Sequence, residues 1–176
     1  MILDKTQLKG KINFKLYNKI SDQKFQVNTC SSLELLTPER FDLLAKYIYI
    51  KHCEANIKSN FAEKLYLKHI EVFNGFYEAD GSNKIGGEAF LESFKTLIKS
   101  VKTKGFDKNS FIPVSNKIAL DGAHRLATCL YFKKDIRYLD LNIKPKSFDY
   151  KVNLIFSSQS LTITDYEFRR NHPKSS

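Results

Sequence analysis

Residues 111–132 read FIPVSNKIALDGAHRLATCLYF, and this stretch decides the fold class. It begins with two short apolar runs, residues 111–115 and 117–121, whose composition is typical of β-strands. The Asp121-Gly122 dipeptide is a tight-turn signal, and after it apolar residues recur at helical spacing. The stretch therefore predicts two strands, a turn and a helix, in that order.

The patterns outside this stretch predict further helices and strands on both sides of it. Thr37 is a favourable N-cap, Pro38 suits the first helical position and Glu39 suits the positive end of the helix dipole, so a helix is predicted to begin at Pro38. Predicted helices cover residues 38–52, 60–73 and 88–102, with a short one from Thr164, and predicted strands cover residues 12–18, 24–30, 135–143 and 149–156. Together these elements predict an α/β fold.

The composition is that of one globular domain over residues 1–176. Hydrophobic residues make up 42% of the chain and charged residues 27%, which excludes a disordered chain, a collagen and a disulfide-stapled miniprotein. The three cysteines form no CxxC pair, so we expect reduced thiols, with Cys129 in the core. His52, His69 and His172 have no partner at metal-ligand spacing and are predicted to be partly buried or surface residues.

Charge and hydropathy restrict the partners and the location. The net charge of +10 predicts attraction to nucleic acids, anionic lipid surfaces or phosphorylated small molecules, but the basic residues are spread along the chain. No apolar run approaches the roughly 18 residues that a membrane-spanning helix needs, and the first residues lack the apolar centre of a signal peptide. We therefore expect a cytoplasmic protein without a transmembrane segment.

Residues 121–125, DGAHR, have the properties of an anion-binding turn. If the Asp-Gly dipeptide caps the helix, His124 and Arg125 fall in its first turn, where the dipole disfavours cations unless an anion is bound. The free N–H groups of that turn, a glycine that permits close approach and two side chains with N–H donors suit a phosphate. The alternative is that Asp121 neutralises Arg125 and the turn only links strand to helix.

The segment IPVSNKIALDGAHRLATCL resembles the signature region of the ParB/sulfiredoxin superfamily, in which "PI-V … -DG-HR-A" marks a strand pair, a nucleotide-phosphate loop and a helix. The resemblance extends upstream through FLESFKTLIKSVKTKGF and covers residues 88–132, about a quarter of the chain. It implies a small mixed sheet with surrounding helices, to which residues 38–73 add an inserted helical pair and residues 135–176 an extension. It also implies that the phosphate loop consists of Asp121, Gly122, Ala123, His124 and Arg125.

Departures from the pattern narrow the function that the resemblance implies. Sulfiredoxin needs a cysteine between the glycine and the histidine, and this chain has Ala123 there. The CTP-binding partition protein ParB continues into a helix-turn-helix region, whereas the residues after Phe132 look mainly strand-like. The free serine kinase branch remains. The resemblance thus implies a phosphotransferase that uses ATP or ADP, with Mg²⁺, to phosphorylate a small hydroxyl-bearing acceptor.

Such a kinase needs a carboxylate that accepts the proton of the hydroxyl and a metal ion on the phosphates. In the serine kinase branch the acid lies at the start of the helix before the strand pair, so Glu88 is the preferred general base. Glu39, in LTPER, resembles the "L-P-E" pattern of that branch and is the second choice, although acids at helix starts also serve stability alone. Asp121 would hold magnesium or orient His124, while His124 and Arg125 would stabilise the transferred charge.

The glycine-rich loop of residues 75–87 precedes Glu88 and holds four of the seven glycines in the chain. Its polar residues Asp80, Ser82 and Lys84 are predicted to form a lid over the nucleotide or to contact the acceptor. The alternative is a surface connection between two helices.

Segments such as RFDLLAKYIY and DGAHR are similar to those of proteins encoded among bacterial surface-polysaccharide genes, which implies a sugar or glycan intermediate as acceptor. Two alternatives differ in class. One is a ParB-like nucleic-acid-binding or nuclease module, for which the net charge is the main support and which the helical spacing of the aromatic residues disfavours. The other is a nucleotide-binding regulator without catalysis.

Overall fold

The computed structural model describes residues 1–78 and 84–144, which form a mixed sheet covered by helices. The strands are β1 (Ile2–Leu3), β2 (Phe25–Ser31), β3 (Ile112–Ser115), β4 (Ile118–Ala119) and β5 (Asp135–Asp140). The helices are α1 (Phe14–Tyr17), α2 (Leu43–Glu54), α3 (Phe61–Asn74), α4 (Gly87–Lys104) and α5 (Ala123–Phe132), and 3-10 turns lie at Thr6–Leu8, Ser32–Leu35 and Pro38–Arg40. The predicted α/β class is confirmed.

The sheet has the strand order β1-β2-β5-β3-β4. All neighbouring strands are antiparallel except β3 and β5, which run parallel with Ile112 opposite Tyr138. A parallel pair needs a crossover connection, and α5 supplies it between β4 and β5. The decisive stretch of sequence thus forms the strand pair, the turn and the helix that it predicts.

Apolar side chains form one core on each face of the sheet. On the helical face, Tyr66, Phe94 and Leu126 from three different helices are buried against β3 and β5. On the other face, the 3-10 turn that contains Leu8 covers β2 and β5, with Phe25 in the centre. The functional side chains described below all belong to the helical side.

Two predicted elements differ from the structure. Residues 12–18 are predicted as a strand, but they contain α1, because the side chain of Asn13 accepts a hydrogen bond from the Lys15 N–H and caps a helical turn. The helix predicted from Pro38 is a 3-10 turn followed by α2 at Leu43. The break follows from Arg40, whose buried side chain bonds to Asp42 and to the carbonyl of β4.

The remaining predicted boundaries agree with the structure within a few residues. The predictions for residues 24–30, 60–73 and 88–102 are confirmed as β2, α3 and α4. The strand predicted over residues 135–143 ends at Asp140, and Asn142 turns the chain with a φ of 51°. The strand at 149–156 and the helix from Thr164 lie outside the described residues.

The helical pair α2 and α3 is part of the main core, since both helices contribute buried side chains to the cluster that holds α4 and α5. Cys129 is fully buried there, as predicted. In the part of the chain that the structure describes, none of the helices combines the length and the apolar character needed to cross a membrane.

Leu126→Ala tests how much the helical core contributes to the stability of the fold. Leu126 is fully buried at the centre of α5, so its truncation is expected to lower the free energy of unfolding by about 2–5 kcal/mol. Leu33→Ala is the matched control, because Leu33 is 65% exposed and its truncation should change stability by less than about 0.5 kcal/mol. Urea denaturation measures both, and equal effects would contradict the assignment of the core.

Candidate functional site

A cavity of about 420 Å³ lies between α2, α3, α4 and the beginning of α5. This volume is within the usual range of small-molecule sites, roughly 300–1,000 Å³. Its wall combines side chains from all four helices, among them Lys46 of α2, Tyr66 and His69 of α3, and Phe94 of α4. Residues 121–125 complete the wall. The predicted phosphate loop therefore lines a cleft of suitable size.

The turn before α5 presents backbone donors at this cavity. Gly122 is the N-cap in the left-handed conformation, with φ +78°, which glycine adopts without strain. Asp121 Oδ1 accepts a hydrogen bond from the Gly122 N–H at 2.6 Å. The first intrahelical bond is that from the Leu126 N–H to the Gly122 carbonyl, so the three preceding N–H groups have no acceptor within the helix. These donors, at the positive end of the helix dipole, suit an anion.

Arg125 folds back over the turn rather than extending into solvent. Its Nη1 donates to the Phe111 carbonyl at 3.2 Å. Its Nη2 lies 3.1 Å from the point where a Cβ on Gly122 would stand. Glycine at this position is thus needed both for the backbone conformation and for the approach of the guanidinium group. The guanidinium charge is held beside the backbone donors of α5.

His124 lies among aromatic rings at the cavity wall. Its Nε2 is 2.9 Å from the Tyr66 hydroxyl, and its ring packs edge-on against Phe94 at a centroid distance of 4.7 Å. Burial, followed by the charges of Lys46 and Lys84, lowers the pKa of His124 well below 6.5. The imidazole is therefore neutral at physiological pH. Because Tyr66 occupies Nε2, the ring atom that remains for a ligand is Nδ1.

A buried charged cluster forms another part of the wall, and it consists of Arg40, Asp42, Lys46 and His69. Arg40 binds Asp42 through two hydrogen bonds, Nε to Oδ1 at 2.7 Å and Nη2 to Oδ2 at 2.9 Å. Burial would raise the pKa of Asp42, but the hydrogen bonds from Arg40 and the charge of Lys46 outweigh it and lower the pKa to about 2. Asp42 is therefore ionised and fully engaged by Arg40.

Lys46 is buried in the same cluster with longer contacts. Its Nζ lies 3.7 Å from Asp42 Oδ2 and 3.5 Å from His69 Nδ1. Burial lowers the pKa of Lys46 to about 8, although Asp42 acts in the opposite direction. His69 is 1% exposed, and burial together with the Lys46 charge lowers its pKa far below 6.5. The prediction that His69 is a partly buried or surface residue is thus wrong.

The two acids proposed from the sequence as general bases do not reach the cavity. Glu88 is exposed at the first turn of α4, and Glu39 is exposed in the 3-10 turn before α2. Within residues 1–78 and 84–144, the carboxylates on the cavity wall are Asp42, Glu78 and Asp121. The fold separates Glu88 and Glu39 from the phosphate loop because each points outward where its helix or turn begins.

The predicted lid is described only in part. Lys84 lines the cavity and forms an ion pair with Glu78, and an antiparallel bridge joins Tyr77 to Ile85 just outside this pair. Asp80 and Ser82 lie outside the described residues. The ends of the glycine-rich loop are therefore held together at the cavity.

The carboxylates of the cavity differ in their capacity for a metal ion. No group of three or more histidine, cysteine or acidic residues in a ligating arrangement occurs among the described residues. Both oxygens of Asp42 bind Arg40, and Glu78 binds Lys84. Among the contacts of the described residues, Asp121 uses Oδ1 alone, for the Gly122 N–H. This fits Mg²⁺ that arrives with phosphate oxygens and takes one carboxylate from the protein.

Sequence reasoning missed the cluster of Arg40, Asp42, Lys46 and His69 because charged residues of a helix are ordinarily exposed. Here Phe41 is 49% exposed, whereas Lys46 is 2% exposed. The spacing of four residues between Asp42 and Lys46 is the only signal, and it is typical of exposed pairs.

Comparison of the chain with protein-family models, with curated proteins and with solved structures finds no match. The geometry of this cavity and the sequence of its loop are therefore the features of the chain that bear on its function.

Gly122→Ala tests the close approach of Arg125. Both Gly122 and Gly10 have a positive φ, but only Gly122 has a neighbour within 4 Å of an added Cβ. Gly10→Ala should therefore cost only the left-handed backbone strain, about 1–2 kcal/mol of unfolding free energy. Gly122→Ala should cost more, since Arg125 must also move. Equal losses in urea denaturation would contradict the role of Arg125 beside the glycine.

Lys46→Met tests the burial of the ammonium group. A pKa of about 8 in the folded protein, below the ordinary 10.5, means that the unfolded chain binds the proton more tightly. Stability should thus rise as the pH increases from 7.5 to 10, by about 2 kcal/mol more in the wild type than in Lys46→Met. Chemical denaturation at both pH values measures the difference. The same difference in Lys51→Met, at an exposed position of α2, would contradict this assignment.

Proposed function

We propose that this protein is a nucleotide-dependent phosphotransferase that transfers a phosphoryl group from ATP or ADP to the hydroxyl group of a small acceptor. The observation that carries the proposal is the opening of the DGAHR turn onto a 420 Å³ cavity, with free backbone donors and Arg125 beside neutral His124. The resemblance of this turn to the phosphate loop of the ParB/sulfiredoxin superfamily supports the same function.

The nucleotide phosphates bind at the beginning of α5. The N–H groups of Ala123, His124 and Arg125 donate to phosphate oxygens, as helix N-termini do in other phosphate sites. The guanidinium of Arg125 and the ammonium of Lys84 add positive charge at the cavity wall. Such charges stabilise the transition state when they are already oriented before the reaction.

We assign the role of general base to His124, which lies on the cavity wall, whereas Glu88 and Glu39 are exposed outside it. Its imidazole is neutral and its Nε2 lies 2.9 Å from the Tyr66 oxygen. In the proposed reaction the ring is the tautomer whose Nε2–H donates to this oxygen, so that Nδ1 is unprotonated and accepts the proton. Bound phosphate places negative charge near the ring and raises the pKa of His124 towards the working pH, which favours proton transfer.

In the transfer step, the acceptor oxygen bonds to the terminal phosphorus of the nucleotide as its proton moves to His124 Nδ1. The bond from that phosphorus to the bridging oxygen breaks, and the shortened nucleotide leaves with the electron pair. Mg²⁺, when bound to the phosphates, neutralises part of their charge. Asp121, whose Oδ1 accepts the Gly122 N–H, would hold this ion through its other carboxylate oxygen. The similarity to proteins of surface-polysaccharide genes favours a sugar or glycan intermediate as acceptor.

A thermal-shift series with ATP, ADP, GTP, CTP and pyrophosphate, each with and without Mg²⁺, tests the nucleotide site. A ligand at 100 times its dissociation constant should stabilise the fold by about 2.7 kcal/mol, a shift of several degrees for a domain of this size. Arg125→Gln should abolish the shift. Arg137→Gln, on β5 and away from the cavity wall, should retain it.

Turnover is tested by mass spectrometry of hydroxyl compounds after incubation with the nucleotide that binds. His124→Ala should lose product formation while Arg137→Gln retains it. The absence of any Arg125-dependent shift would refute the nucleotide site, and binding without a phosphorylated product would leave a nucleotide-binding regulator in place of a kinase.

A further inference from the structure

Lys46 and His69 lie on the cavity wall, and the phosphate site proposed above uses neither of them. Both side chains are almost completely buried, at 2% and 1% exposed. Buried polar groups are normally hydrogen-bonded, and an unpaired one costs roughly 1–3 kcal/mol of stability. The hydrogen-bond partners that these two side chains lack therefore indicate which kind of ligand the cavity binds.

His69 carries a hydrogen-bond donor without an acceptor. The Lys46 ammonium faces His69 Nδ1 at 3.5 Å and can only donate, so Nδ1 is the acceptor and the proton of the neutral ring is on Nε2. This Nε2 is buried and has no hydrogen-bond partner among residues 1–78 and 84–144. The ring is fixed by stacking on Phe73, at a centroid distance of 5.6 Å. His69 lines the cavity, and no described residue accepts the bond of this N–H group.

Lys46 is also incompletely satisfied. An ammonium has three donors, and Lys46 has two long contacts, to His69 at 3.5 Å and to Asp42 at 3.7 Å. Asp42 is a weak partner because Arg40 takes both its oxygens at 2.7 and 2.9 Å. A charged donor and a neutral donor therefore stand side by side at the cavity wall, and of the described carboxylates there, Asp42 is paired with Arg40 and Glu78 with Lys84.

We propose that Lys46 and His69 form an anion subsite that binds a carboxylate or phosphate group of the acceptor. The assignment to the acceptor rests on the proposed phosphotransferase function, while the subsite itself does not. An anion bridging Lys46 Nζ and His69 Nε2 completes the bonding of both groups. The cavity then has two anion-binding ends, one for the nucleotide phosphates at α5 and one for the acceptor at α2 and α3.

The subsite defines the acceptor class as an acid that also carries a hydroxyl group, such as a hydroxy acid, an amino acid, a sugar acid or a sugar phosphate. The acid group is bound by Lys46 and His69, which leaves the hydroxyl for His124. Of the other described charged groups on the wall, Asp121 and Arg125 belong to the phosphate loop, Lys84 is paired with Glu78 and Arg40 is paired with Asp42.

Isothermal titration calorimetry with inorganic phosphate and with acetate tests the subsite. The titrations are done in an Arg125→Gln background, which removes the nucleotide phosphate site. One binding site should remain, and Lys46→Met should weaken it by about tenfold or more, as expected for a hydrogen bond to a charged group. His69→Phe keeps the stacking on Phe73, removes the donor and should weaken it as well.

Lys51→Met is the matched control, since Lys51 is exposed on the same helix and its substitution should leave binding unchanged. The proposal is overturned if phosphate and acetate both fail to bind. It is also overturned if Lys46→Met and His69→Phe both bind the anions as tightly as the Arg125→Gln protein does. His69→Phe remains informative if Lys46→Met does not fold. Stronger binding of phosphate than of acetate identifies the acceptor as a phosphate ester, and the reverse identifies a carboxylic acid.

The two proposals fail separately. If no nucleotide shifts the melting temperature of the wild-type protein, the phosphotransferase proposal is refuted. The anion subsite can still be tested by titration with phosphate and acetate. A nucleotide shift that persists in Lys46→Met, together with unchanged anion binding, removes only the subsite.

Discussion

The buried ion pair between Arg40 and Asp42 is the contact on which the cavity depends. Arg40 also donates to the carbonyl of Ala119 in β4, so this side chain fastens the beginning of α2 to the sheet just before the phosphate loop. Breaking such a pair by removing one partner costs about 3–5 kcal/mol, because the other charge stays buried. The charges of this pair also act on the pKa values of Lys46 and His69, which line the same cavity.

A layer of stacked rings supports the opposite side of the cavity. Tyr66 and Phe94 lie 5.1 Å apart between centroids, and Tyr49 stacks on both from behind. His124 closes the layer at the cavity surface through its contacts with Tyr66 and Phe94. Rings packed in this way are rigid, so the imidazole is oriented before any ligand binds. The charged cluster thus determines the electrostatics of the cavity, and the aromatic layer determines the orientation of the His124 ring.

The sequence allowed the fold class and the DGAHR turn to be predicted, because turn chemistry and helical spacing are local properties. The positions of Glu88 and Glu39 could not be predicted, since acidic residues at the start of a helix have the same pattern whether they face a cavity or the solvent. The cluster of Lys46 and His69 was missed for a different reason. α2 is apolar over most of its surface. Which of its sides is buried depends on the contact between Arg40 and β4, which lie far apart in sequence.

The bond from Arg40 to Ala119 joins residues that are 79 positions apart. A loop of this length is costly in chain entropy to close, and that cost is recovered only when α2, α3, α4 and the strand pair pack together. The charged cluster and the phosphate loop therefore come together only where these distant segments pack, whereas the helices and the β3–β4 turn depend on residues close in sequence. A fragment of the chain that contains only one half of the cavity cannot form the binding site. Ligand affinity therefore reports whether the whole fold has formed.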